Sequence, residues 1–142
     1  MNQLNQLVQV VNAASSVAEI VREKQIYRYG VRGPTALYLH VEDAEVRVFR
    51  WALPTIEVAT QLKLGFGWRM ASEQDDVGVY FVAKRRRLVG GLAGGVFSVT
   101  APYDSHLMLR LERCSLWMPD VSTTLELEPN SQVQVALLPP KT

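Results

Sequence analysis

Beyond Pro34 the apolar residues of this chain stop recurring every three or four positions and recur at every second one, in segment after segment. "ALYLHV" sets Leu37, Leu39 and Val41 against Tyr38 and His40, and "EVRVFRW" sets Val46 and Val48 against Arg47, Phe49 and Trp51. "TIEVATQLKL" carries Ile56, Val58, Leu62 and Leu64, while "VGVYFVAKR" carries Val77, Val79, Phe81 and Ala83. The rhythm returns in "VFSVTAP", "HLMLRLE", "TTLELEP" and "QVQVALLP". Successive side chains of an extended strand point to opposite faces, so a period of two gives each segment one greasy side and one wet side. Asp75-Asp76, Gly90-Gly91, Pro102, Pro119-Asp120 and Pro129-Asn130 separate the segments as turn residues do. The expected fold is mainly β: an antiparallel β-sandwich or a solenoid-like stack of short strands. Repeated βαβ units are excluded, because only one helical pattern occurs.

That pattern is N-terminal. Leu4, Leu7, Val8, Val11, Ala14, Ala18 and Val21 recur at spacings of three and four, and so form one stripe of an amphipathic helix over 3–24. Residues 1–30 are read as this helical segment and 31–142 as the β-rich domain, since Gly30, Gly33 and Pro34 mark the change. A chain of 142 residues can bury a single core without covalent help. The lone Cys114 cannot form an internal disulfide and suits a reducing compartment. No secretory signal and no apolar run long enough for a transmembrane segment is present, so a cytoplasmic location is expected.

The run "AKRRRLVGGLAGGVFSVTAP" concentrates the positive charge in Lys84, Arg85, Arg86 and Arg87. A phosphate-binding loop needs its lysine after the glycines and a helix beyond it; here the lysine comes first and strand-like sequence follows. The pair-two-pair spacing of Gly90, Gly91, Gly94 and Gly95 does not match a dinucleotide fingerprint either. The run reads as a hairpin connection holding its charge in water. Formal net charge is only +1, which argues against nucleic acid as a partner. Nucleic-acid or anionic-ligand binding by residues 84–87 is the alternative.

Other constellations are weaker. His40 stands near Glu42, Asp43 and Glu45, and on a strand His40 and Glu42 share a face; further metal ligands are missing locally, and the other histidine is His106. Asp104, Ser105 and His106 are adjacent in sequence, which suits a turn better than a hydrolytic triad assembled from separate loops. An unrecognised hydrolase or metal enzyme using His40 or His106 is thus a further alternative. Cys114 reads as a packed, inert thiol. "GFGWRM" puts Phe66 and Trp68 on a glycine-flanked segment, as core or lid residues or as aromatics shown to a partner. No catalytic, cofactor-binding or metal-binding residue is assigned, and no cofactor is expected.

The order "EVRVFRW…TIEVATQLK…GVYFVAKRR…FSVTAP…HLMLRL" resembles the bacterial toastrack-type domains, an adhesin-labelled family of unknown function, over about residues 36–127. The resemblance implies stacked β-hairpins in a prism-like or solenoid-like fold. It also implies an interaction module associated with bacterial envelope-stress systems. Asp43-Ala44 stands where such domains commonly carry a glycine-containing turn.

The expected function is a non-enzymatic β-rich domain for protein–protein contact or scaffolding, self-associating as a homo-oligomer. An amphipathic helix outside a β body has to bury its stripe on the sheet, on another subunit or on a membrane partner. The candidate contact residues are Leu4, Leu7, Val8 and Val11 of that stripe, Phe66 and Trp68, and Lys84, Arg85, Arg86 and Arg87.

Overall fold

The inward phase of the alternation shifts where the chain turns a corner. A computed structural model of the chain describes residues 24–63, 67–85, 94–118, 126–127 and, as backbone, 132–136. The strands are β1 (Lys24–Gly30), β2 (Ala36–Glu42), β3 (Glu45–Trp51), β4 (Thr55–Leu62) and β5 (Trp68–Gln74). They continue as β6 (Gly78–Arg85), β7 (Gly95–Pro102), β8 (His106–Trp117), β9 (Glu126–Leu127) and β10 (Gln132–Ala136). Odd-numbered Leu37, Leu39 and Val41 of β2 are fully buried, whereas even-numbered Val46 and Val48 are the buried residues of β3. In β8 the same shift separates Leu107, Leu109 and Leu111 from Cys114 and Leu116.

Asp43 and Arg113 sit at these two shifts, and both have a φ of 56°. This left-handed conformation costs an L residue roughly 1–2 kcal/mol. It is the geometry a glycine would adopt freely, which explains how Asp43-Ala44 fills a glycine-type turn. The corners nest: β2 and β8 run parallel with Glu42 beside Glu112, and β3 and β8 run parallel with Glu45 beside Ser115. The Asp43 N–H donates to the Glu112 carbonyl at 2.9 Å, and the Ser115 N–H to the Ala44 carbonyl at 3.1 Å.

The strand order is β1-β4-β7-β3-β8-β2-β6-β5, with β9 and β10 also on β8. Two expectations are corrected by it. The sandwich is not simply antiparallel: β2 pairs in parallel with β6 and β8, and β3 with β7 and β8. Among the described residues only β1/β4, β4/β7 and β5/β6 are antiparallel. Nor are the strands stacked hairpins, because β2 and β3, joined by two residues, are not ladder neighbours. A corner that carries the chain away from its own strand leaves the neighbouring place to a later pass in the same direction.

The segment from Lys84 to Gly95 is likewise no hairpin connection. β6 lies between β2 and β5, and β7 between β4 and β3. Its ends meet the ends of the Asp43 corner, with Ala83 beside Val41 and Val96 beside Glu45. The basic run therefore begins, at Lys84 and Arg85, beside the Asp43 corner.

The sheet curls until its two ends approach. Tyr27 of β1 packs edge-on against Phe81 of β6, with centroids 5.4 Å apart, and Gln74 Nε2 of β5 donates to the Gly30 carbonyl at 2.7 Å. Leucine, valine, isoleucine and phenylalanine fill the interior, with Trp68 edge-on to Phe97 at 5.4 Å. Each such side chain, fully buried, stabilises the fold by about 1.5–3 kcal/mol.

Residues ahead of Gly33 join the sheet as well. "KQIYRYG" is β1, paired along its whole length with β4, because its aromatics alternate with polar residues and suit a strand. The helix expected over 3–24, with Leu4, Leu7, Val8 and Val11, falls on residues 1–23 that lie outside the described ones, as do Phe66, Arg86 and Arg87. Among the described residues no helix is long and apolar enough to cross a membrane.

Candidate functional site

The outward face of β2 carries Tyr38, His40 and Glu42, because Leu37, Leu39 and Val41 face the core. In-register neighbours extend this face. Tyr80 of β6 stacks on Tyr38 at 5.0 Å, and β8 contributes Met108, Arg110 and Glu112 beside Tyr38, His40 and Glu42. Although outward-facing, the His40 side chain is only 2% exposed, and neither ring nitrogen has a hydrogen-bond partner. Its Nε2 lies 3.6 Å from Glu42 Oε2 and 3.9 Å from Glu112 Oε2.

Cations surround the acids. Lys84 Nζ is 3.6 Å from Glu42 Oε2, and Arg110 Nη2 is 3.3 Å from Glu112 Oε1. Arg113 grips Asp43 with two bonds, Nε to Oδ1 at 2.8 Å and Nη2 to Oδ2 at 3.1 Å. Arg85 Nε approaches Asp43 Oδ2 at 3.8 Å. Burial pushes the Glu42 carboxyl up, but its polar contacts with His40 and Glu112 and the Lys84 charge outweigh burial and hold it down at about 2. The hydrogen bonds to Asp43 push the Arg113 guanidinium up.

The structure thus joins His40 and Glu42, a pair visible in the sequence, to a third donor that sequence reasoning missed. Glu112 is spaced along β8 as Glu42 is along β2, but only the β2/β8 register, spanning 70 positions, puts the two side by side. Lys84 and Arg85 are no water-held patch: their side chains are 21% and 25% exposed, and both face corner acids.

The remaining candidates separate. Asp104 belongs to a turn, Ser105 is buried, and His106 is half exposed with Nε2 3.7 Å from Glu126. The turn is held by Arg50, whose Nη1 donates to the Pro102 carbonyl, the Ser105 carbonyl and Ser105 Oγ at 2.8, 2.9 and 2.7 Å. His106 is four strand positions from Arg110, the residue beside His40, so the imidazoles lie roughly 13 Å apart along the sheet. Trp68 is fully buried, a core indole rather than an aromatic displayed to a partner. Cys114 is buried with Sγ donating to the Val41 carbonyl at 3.3 Å, and burial pushes its thiol up.

A second feature lies on the outer face of β1, β4, β7 and β3. The small residues Ala59 and Ser98 floor a trough of about 530 Å³, walled by Lys24 and Ile26 on one side and Arg47 on the other. Ile26 is 46% exposed there.

No family model matches the chain, and no curated protein sequence does. Among solved structures the chain is similar to "a putative cell adhesion protein" from Clostridium sporogenes ATCC 15579, at 10% identity and a TM-score of 0.48. The match covers 79% of this chain and 66% of that one, just under two-thirds of the other protein's length.

Proposed function

We propose that this chain is a non-enzymatic β-rich interaction domain that self-associates, with the trough beside β1 as its contact surface. The observation that carries this reading is Ile26, an isoleucine 46% exposed on a strand with one ladder neighbour, at the wall of a trough floored by small side chains. Exposed apolar surface rimmed by polar groups marks contact sites on soluble proteins. The proposed occupant is the apolar stripe Leu4, Leu7, Val8 and Val11 of a second copy, whose side chains have to be buried on a protein surface.

Light scattering coupled to gel filtration tests it. The full-length chain is expected to run as an oligomer, and both Ile26→Asp and a Leu7→Asp/Val8→Asp variant are expected to run as monomers. A wild-type chain that stays monomeric at every attainable concentration ends the reading. Loss of assembly in the stripe variant alone moves the contact away from the trough.

A further inference from the structure

We propose that His40, Glu42 and Glu112 form a binding site for a divalent transition-metal ion of the zinc or cobalt type. Three observations converge on the same point in space. One nitrogen and two carboxylate oxygens lie within 4.8 Å of one another, contributed by two adjacent strands of the rigid central ladder. His40 Nε2 is aimed at both carboxylates from a side chain that is 2% exposed and has no hydrogen-bond partner at either nitrogen. A buried polar group without a partner is destabilising by roughly 1–3 kcal/mol, so its retention calls for something to satisfy it. Finally, Glu42 and Glu112 stand in register on neighbouring strands, so two like charges are held side by side, with Arg110 and Arg113 offsetting only their outer oxygens.

The spacing suits such an ion. Ligand atoms about 2.0–2.2 Å from a zinc-like centre, at tetrahedral to trigonal angles, lie roughly 3.3–3.8 Å apart. The nitrogen-to-oxygen separations of 3.6 and 3.9 Å need little adjustment. An imidazole donor beside carboxylates selects zinc, cobalt or nickel over calcium and magnesium, which favour all-oxygen sites. Three protein donors leave a further position to water.

Lys84 is the competitor. Its ammonium approaches the same Glu42 Oε2 that faces His40, so the metal has to displace it from that oxygen. Arg110 and Arg113 approach the other oxygens, Glu112 Oε1 and Glu42 Oε1, and do not block the site. Removing the lysine charge therefore strengthens binding, a signature that adventitious surface binding would lack.

The test uses the untagged full-length chain, titrated calorimetrically with Zn²⁺ and followed by visible absorption with Co²⁺. One ion per chain is expected. His40→Gln, Glu42→Gln and Glu112→Gln each weaken binding by about tenfold or more, Lys84→Met strengthens it by about tenfold, and His106→Gln leaves it unchanged. Circular dichroism establishes that each variant is folded; should the buried His40→Gln fail, Glu112→Gln, with a side chain 23% exposed, decides. The proposal is overturned if neither wild type nor Lys84→Met binds either ion, if affinity is unchanged in the folded Glu112→Gln variant, or if Ca²⁺ binds as tightly as Zn²⁺.

Discussion

Replacing Asp43 by alanine and by glycine, side by side, separates backbone strain at the corner from the ion pairs around it. Asp43 has a φ of 56°, where an L side chain costs roughly 1–2 kcal/mol. Glycine enters this region freely but brings an unfolded-state entropy cost of about 0.5–1 kcal/mol. Both variants lose the same carboxylate, 2.8 Å from Arg113 and 3.8 Å from Arg85. Arg113 is 55% exposed, so these pairs contribute roughly 0.2–1 kcal/mol each. That loss is common to both variants and cancels between them. What remains is the strain relieved less the entropy added, roughly 0–1.5 kcal/mol and about 0.75 kcal/mol at mid-range, in favour of glycine. Urea unfolding should therefore give Asp43→Gly the higher midpoint, and thermal unfolding a gap of about 1–4 °C for a chain of this size. Arg113, also at 56°, should show the same order for its own alanine and glycine variants. An alanine variant as stable as its glycine counterpart at both positions would refute the idea that paired left-handed corners turn the chain.

Gly78→Ala should destabilise by about 1–3 kcal/mol or more in urea unfolding, because the new Cβ would overlap the Ala36 carbonyl oxygen across the β2/β6 ladder. Gly30→Ala meets nothing within 4 Å and should be neutral or raise stability by about 0.4–1 kcal/mol, so of the two alanines only Gly78→Ala should lower the midpoint. Arg50→Ala removes a guanidinium shared by three acceptors of the 102–105 turn and should cost about 1.5–3 kcal/mol, seen as a lower thermal midpoint. Cys114, buried and with its thiol pushed up, should react with a thiol reagent only as fast as the chain unfolds. Because the folded thiol holds its proton more tightly than the unfolded one, its contribution to stability is complete below about pH 9 and is lost as pH rises further. A urea midpoint that does not fall above that pH in wild type relative to Cys114→Ala would contradict this.

Local covalent geometry made much of this protein legible in its letters. Alternate residues of an extended chain must point to opposite sides, so Leu37, Leu39 and Val41 could be assigned to one face and His40 and Glu42 to the other without knowing any partner. The same rule put Val46 and Val48 on one face of β3, and the structure buries them. It could not say which strand lies beside which, because every alternating segment presents the same ladder of donors and acceptors along its edges. Parallel pairing of β2 with β8 depends on two unlabelled corners, Asp43 and Arg113, adopting a conformation that their side chains do not advertise. The third donor beside His40 follows from that register, the pairing of Lys84 and Arg85 with corner acids from the β2/β6 ladder, and the trough beside Ile26 from the β1/β4/β7/β3 ladders. Faces were thus a property of the chain taken two residues at a time. Neighbours were decided by long-range packing, which no local pattern encodes.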